Sequence, residues 1–124
     1  MNVMDSSAWL EYFADGPNAR FFAPVIQRPQ DLIVPTISLY EVFKRVAQQR
    51  DEGLALRAVA LMQQGTVVNL NSVLALRAAK LSLELKLPLA DSVMLATSRA
   101  FEAVLWTQDS DFEGIEGVRY VRAG

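Results

Sequence analysis

The sequence predicts a single α/β domain in which helices cover both faces of a central, mainly parallel sheet. Short apolar runs alternate with amphipathic segments along the whole chain. Strands separated by helices pair in parallel through right-handed crossovers, which place helices on both faces of the sheet. A chain of 124 residues, 52% of them hydrophobic, supplies one core and leaves no room for a second. We therefore expect residues 1–124 to form one three-layer α/β/α domain.

In the first half of the chain, capping residues and helix breakers set the ends of the predicted elements. An apolar run ends at Asp5, and Ser6 or Ser7 can then cap a helix. The run Leu32–Val34 is apolar and partly β-branched, which is typical of a buried strand. The clearest helix has apolar residues at i, i+3, i+4, i+7 and i+8 from Leu39. The predicted elements are strands at residues 2–4 and 32–34 and helices at residues 6–14, 18–27, 39–47 and 54–64.

The second half continues the same alternation. Gly65 ends one helix, Ser72 can cap the next, and Pro88 restarts the chain into another. The predicted elements are strands at residues 66–70, 104–106 and 118–121, helices at residues 72–85 and 90–102, and a short helical turn at residues 110–113.

The composition excludes several classes of function, because the chain contains neither histidine nor cysteine. Disulfides, thiolate nucleophiles, imidazole bases and zinc-finger sites are therefore ruled out. Any catalysis must use carboxylates, hydroxyls, Lys or Arg, or a metal held by oxygen ligands. The formal net charge of −2 gives no sign of a nucleic-acid partner. No stretch approaches the roughly 20 apolar residues of a membrane helix, and no secretory leader is evident, so we expect a cytoplasmic protein.

Four acidic residues lie where predicted strands end and the following helices begin. Asp5 ends the first strand, and Asp109 follows the strand at residues 104–106. Glu41 and Asp91 lie in the first turns of two helices. Ligands of parallel α/β sheets bind beyond the carboxyl ends of the strands, so the four acids are candidates for one site.

Each acid taken alone also has a purely structural interpretation. Ser38 and Glu41 have the spacing of a capping box, and the others suit helix caps, a helix dipole or a turn. As a set, converging carboxylates would repel each other without a counter-ion. Mg²⁺ or Mn²⁺ prefers such oxygen ligands, and it can activate water and stabilise a phosphoryl transition state. The sequence therefore permits a hard-cation site, although the spacing does not establish that the acids converge.

At these residues the sequence resembles the PIN-domain ribonucleases, specifically the toxin half of VapC-type toxin–antitoxin pairs. The resemblance extends from Val3 to about Val121 and consists of four blocks in the expected order. The blocks are Val3-Met4-Asp5-Ser6-Ser7, Ile37-Ser38-Leu39-Tyr40-Glu41-Val42, Leu89-Ala90-Asp91-Ser92 with Ala96, and Trp106-Thr107-Gln108-Asp109-Ser110-Asp111-Phe112.

The resemblance implies a PIN α/β/α sandwich and a Mg²⁺- or Mn²⁺-dependent endoribonuclease. It also implies a cognate antitoxin partner and a homodimer. Asp5, Asp91 and Asp109 would be the metal ligands, and Glu41 would orient or deprotonate the attacking water. Ser6 and Thr107 would support these acids by hydrogen bonding. Asp111 would either cap the turn or be a fifth acid of the site.

Three cations are candidates for contacts with RNA phosphates. Lys44 and Arg45 lie one helical turn beyond Glu41, and Arg99 shares the helix of Asp91. Ordinary solvated helix faces would explain them equally well. Two other functions are alternatives: a receiver-type phosphorylatable domain and a catalytically silent PIN-fold binding module. The single acid after the first strand disfavours the receiver, and the four intact acids disfavour the silent module.

Overall fold

The computed structural model describes all 124 residues and contains five strands and six α-helices. In chain order these are β1 (Asn2–Met4), α1 (Ser6–Phe13), α2 (Ala19–Ile26), β2 (Leu32–Pro35), α3 (Thr36–Gln49), α4 (Glu52–Met62), β3 (Thr66–Val68), α5 (Ser72–Leu85), α6 (Leu89–Ala100), β4 (Val104–Thr107) and β5 (Val118–Tyr120). Single 3₁₀ turns occupy Pro29–Asp31 and Ser110–Phe112. None of the six helices combines the length and the apolar character that crossing a bilayer requires.

The five strands form one sheet in the order β3-β2-β1-β4-β5, and every neighbouring pair is parallel. This arrangement confirms the predicted three-layer α/β/α fold. The first strand occupies the centre, where Met4 pairs with Trp106 of β4. The ladder continues beyond β1, since the Asp5 backbone N–H donates to the Trp106 carbonyl at 3.1 Å. The residues that follow β1 and β4 therefore emerge side by side.

Alternating side chains of the strands pack into two separate hydrophobic cores, one on each face of the sheet. Met4, Leu32 and Val34 face α1–α4, where they pack in one cluster with Trp9 and Phe22. The intervening strand residues face the opposite side and pack against α6 and the turn after β4; they include Val3, Ile33 and Leu105 with Met94, Leu95 and Phe112. Period-2 alternation thus gives the sheet two apolar faces, as expected for a sheet covered on both sides.

Several element ends differ from the prediction for identifiable reasons. Asp5, and not Ser6 or Ser7, caps α1, because its side chain accepts a hydrogen bond from the Ala8 N–H. Asp51 caps α4, so that helix begins at Glu52 and not at Leu54. The third strand is shorter than predicted and ends at Val68, the last residue that pairs with β2.

Replacing a core leucine of β4 tests the packing of the second core. We expect Leu105→Ala, at a position with 0% exposure, to lower the free energy of unfolding by about 2–5 kcal/mol, because it leaves a cavity. Leu56→Ala, at a position 56% exposed on α4, is the matched control and should change it by about 0.5 kcal/mol or less. Urea unfolding followed by circular dichroism measures both, and equal losses for the two variants would contradict the assigned core.

Candidate metal centre

Three carboxylates converge at the carboxyl edge of the sheet. Asp5 directly follows β1, Asp109 lies two residues beyond β4, and Asp91 is in the first turn of α6. One oxygen from each of these side chains lies within 4.8 Å of the others. Asp5 is only 3% exposed, whereas Asp91 and Asp109 are partly accessible. One acid of the cluster is therefore buried, and the other two are accessible from solvent.

Hydrogen bonds hold Asp5 in a single orientation. Its Oδ1 accepts from the Ala8 N–H at 3.0 Å and from the Ser7 hydroxyl at 2.7 Å, and its Oδ2 accepts from the Thr107 hydroxyl at 2.7 Å. A carboxylate has about four lone-pair positions, so these three bonds leave acceptor capacity on Oδ2. Ser7 is not among the predicted site residues. The sequence feature that could have indicated it is a hydroxyl residue two positions after Asp5.

Thr107, which is fully buried, connects two of the three acids. Its hydroxyl donates to Asp5 and accepts from the backbone N–H of Asp109 at 2.9 Å. The Asp109 carboxylate in turn accepts from the Asp111 N–H at 2.9 Å and caps the 3₁₀ turn. The predicted supporting hydrogen bond from Thr107 is therefore present, and it fixes both side chains at once.

Burial and mutual repulsion weaken the acidity of the cluster. Desolvation raises the pKa of Asp5 from its ordinary 3.8 to about 6, although hydrogen bonds from Thr107, Ser7 and Ala8 act in the opposite direction. Desolvation also raises the pKa of Asp91 from 3.8 to about 7. Four other negative charges add to that shift, in the order Asp109, Asp5, Asp111 and Glu41.

Glu41 lies beside the cluster without being one of its three converging members. The Ser6 hydroxyl donates to its Oε1 at 2.5 Å, so the predicted contact between Ser6 and an acid of the site is present. The capping-box alternative is wrong, since the Ser38 hydroxyl donates to the Pro35 carbonyl and α3 has no side-chain cap. Glu41 therefore does not cap the start of α3.

The chemistry of the donors fits a hard divalent cation. Asp5, Asp91 and Asp109 would hold it, each through a carboxylate oxygen, which is the ligand type that Mg²⁺ and Mn²⁺ prefer. No Lys or Arg forms an ion pair with any of the three, because the chain's ion pairs are Arg28–Asp31 and Lys80–Glu84. Their negative charge therefore has no counter-ion within the protein, and a bound cation would supply one.

The other predicted site residues lie at different distances from the acidic cluster. Asp111 is exposed and adds to the charge around Asp91, but Asp109 and not Asp111 caps the turn. Lys44 and Arg45 line a cleft together with Glu41, as their spacing predicts. Arg99 is in the last turn of α6, about 12 Å along the helix from Asp91, and faces a groove between α5 and α6. It therefore lies at the other end of α6 from the acidic cluster, and its contact with an RNA phosphate stays a prediction.

The fold and the cluster together define an α/β/α domain with an acidic centre at the carboxyl edge of a parallel sheet. The PIN domain family matches residues 3–118, and the chain belongs to that family. This membership confirms the resemblance and is against the receiver-type alternative. A comparison with curated protein sequences finds no match.

Solved structures share the fold over almost the whole chain. A toxin–antitoxin complex from Klebsiella pneumoniae superposes with a TM-score of 0.80 at 24% identity, covering 96% of each chain. Mycobacterium tuberculosis VapC20, described as a sarcin–ricin loop cleaving toxin, gives 0.77 at 16% identity and covers 94% of this chain and 95% of its own. FitAcB from Neisseria gonorrhoeae gives 0.75 at 16% identity, with coverages of 98% and 97%. At these identities the likeness shows the fold.

Removing the Thr107 hydroxyl tests its role in holding the acids. We expect Thr107→Val to weaken Mn²⁺ binding by about 10–100-fold, because Asp5 and the Asp109 backbone each lose a partner. Thr97→Val is the matched control: this threonine is equally buried, but its hydroxyl bonds only the Val93 carbonyl in α6. Isothermal titration calorimetry measures both affinities, and equal values would contradict a positioning role for Thr107.

The raised pKa values predict an unusual pH dependence of stability without metal. Between pH 3.8 and about 7, the folded chain keeps a proton on Asp91 that the unfolded chain releases. The free energy of unfolding contributed by this group therefore falls as pH rises through that window. Between about pH 4 and pH 8, the free energy of unfolding of Asp91→Asn should therefore rise relative to that of wild type. The expected rise is on the order of 1 kcal/mol, after allowance for solvent screening of a half-buried group.

Chemical denaturation in chelator at both pH values measures this gain. Adding Mg²⁺ at the higher pH should stabilise wild type and leave Asp91→Asn unchanged, since only the wild type keeps the full set of carboxylates. An unchanged difference between the two proteins across the pH range would contradict the raised pKa of Asp91.

Proposed function

We propose that this protein is a Mg²⁺- or Mn²⁺-dependent endoribonuclease that acts as the toxin of a toxin–antitoxin pair. The observation that carries the proposal is the convergence of Asp5, Asp91 and Asp109 within 4.8 Å at the sheet edge of a PIN domain. Support also comes from structural neighbours described as a toxin–antitoxin complex and as a sarcin–ricin loop cleaving toxin. The chain lacks histidine, so carboxylates and a metal are the chemistry it has for hydrolysing a phosphodiester.

In this proposal three acids hold the metal and the fourth acts as the base. Asp5, Asp91 and Asp109 would hold the cation, which when bound would make an attacking water more acidic and offset phosphoryl charge. Glu41 accepts the proton of the attacking water at Oε2, the oxygen that Ser6 leaves free. Ser6 keeps the Glu41 side chain in place during that transfer. Thr107 and Ser7 keep Asp5 oriented toward the other two carboxylates.

The proposal includes two protein partners. A cognate antitoxin would bind and block the acidic cluster, as the resemblance implies, and the structural neighbour from Klebsiella pneumoniae is described as a toxin–antitoxin complex. A second copy of the chain would give a homodimer, for which α5 and the start of α6 offer exposed apolar side chains, including Leu76, Leu83 and Leu89. A toxin acting on RNA with a protein inhibitor would work in the cytoplasm.

Cleavage of single-stranded RNA by the purified protein tests the proposal. We expect cleavage with Mg²⁺ or Mn²⁺ and none with chelator. Asp5→Asn and Asp91→Asn should each lower kcat/KM by about 100-fold or more, because each removes a charged ligand. Gel analysis of a labelled RNA under single-turnover conditions measures these rates.

Asp51→Asn is the matched control for these substitutions. Asp51 is an exposed helix cap far along the chain from the cluster, and asparagine caps a helix as well as aspartate does. Its activity should equal that of wild type. Absence of metal-dependent cleavage on every RNA tried, or wild-type rates in Asp91→Asn, would refute the nuclease.

A further inference from the structure

An exposed aromatic ring stands beside the acidic centre on α3. Tyr40 is 61% exposed, which is high for so large a side chain next to an apolar helix face. The ammonium of Lys44 lies 5.7 Å from the centre of its ring. Lys44 and the adjacent Arg45 are exposed and form no ion pair with any carboxylate of the chain. An accessible ring and two unneutralised cations thus share one surface.

This surface borders the acidic cluster through Ser6 and Glu41. Tyr40, Lys44 and Arg45 line a cleft of about 330 Å³ together with Ser6 and Glu41. Ser6 follows Asp5 directly in the chain, and its hydroxyl binds Glu41. A second, more apolar cleft of about 670 Å³ has Leu39, Phe43 and Val59 in its walls. Tyr40, Lys44 and Gln48 line both clefts.

The charge of this surface changes from negative to positive along α3. Glu41 repels phosphates near the cluster, whereas Lys44 and Arg45, one turn or about 5.4 Å further along the helix, attract them. An aromatic face accepts any unpaired base by stacking, and paired bases in a duplex cannot reach it.

We infer that Tyr40, Lys44 and Arg45 form a subsite for single-stranded RNA next to the metal centre, with one base stacked on Tyr40 and adjoining phosphates on the two cations. This inference rests on the proposed ribonuclease function and names the residues that bind an unpaired nucleotide beside the acidic cluster. Tyr40 then determines affinity for an unpaired nucleotide and takes no part in proton transfer.

Binding of a fluorescein-labelled, mixed-sequence single-stranded RNA by anisotropy tests the subsite, with Asp91→Asn present to prevent cleavage. Tyr40→Leu should weaken binding at least about fivefold, whereas Tyr40→Phe, which keeps the ring face, should stay within about twofold. Lys44→Gln and Arg45→Gln should each reduce the slope of log affinity against log salt by about 0.7. Arg77→Gln, an exposed cation on α5, is the control and should leave that slope unchanged.

Cleavage kinetics in the chain with an intact metal centre separate this subsite from the chemistry. Tyr40→Leu should raise KM at least about fivefold with kcat unchanged. Equal binding by Tyr40→Leu and wild type, an equal loss in Tyr40→Phe, or the same Tyr40 dependence for duplex RNA would each overturn the subsite while leaving a measured nuclease activity in place. Tyr40-dependent binding without any metal-dependent cleavage would instead support the subsite and refute the nuclease.

Discussion

The close approach of Asp5, Asp91 and Asp109 is the constraint on which the rest of this structure depends. Burying carboxylates and gathering three of them away from basic side chains costs free energy, and the raised pKa values of Asp5 and Asp91 reflect desolvation first and mutual repulsion second. The sheet order makes the approach possible, because β1 and β4 are neighbours and both end at the cluster. Hydroxyls from Ser7 and Thr107 then offset part of the repulsion by hydrogen bonding to Asp5. The fold thus stabilises an arrangement that its charges oppose.

Helix capping and metal binding are compatible tasks for one carboxylate. Asp5 caps α1 and Asp109 caps the turn after β4, yet both contribute an oxygen to the cluster. A cap fixes the side-chain rotamer through a backbone N–H, and the remaining lone pairs still point elsewhere. Capping therefore orients these acids before any cation arrives. The structural interpretation is therefore correct for these two residues, and it does not compete with the proposed metal-binding role.

Local patterns predict the elements and the acids, whereas the contacts between them come from tertiary packing. Apolar periodicity predicts α3, and acids that directly follow strands, such as Asp5, predict the site. No local pattern shows that β1 lies between β2 and β4, so the partnership of Thr107 with Asp5 has only the family resemblance to suggest it. The spacing of Ser38 and Glu41 suggests a capping box, but Pro35 occupies the cap position. Arg99 shares a helix with an acid, yet the length of α6 separates them.

The uneven distribution of charge links the metal to RNA affinity. The formal charge of −2 includes Glu41 and the three acids of the cluster, without which ten acids face 12 bases. Near the cluster, a phosphate therefore meets repulsion from the carboxylates and attraction from Lys44 and Arg45. A divalent cation would reduce the first of these effects and leave the second unchanged. On the proposed function, metal and RNA must then strengthen each other's binding by the same factor, since coupling between two ligands is reciprocal.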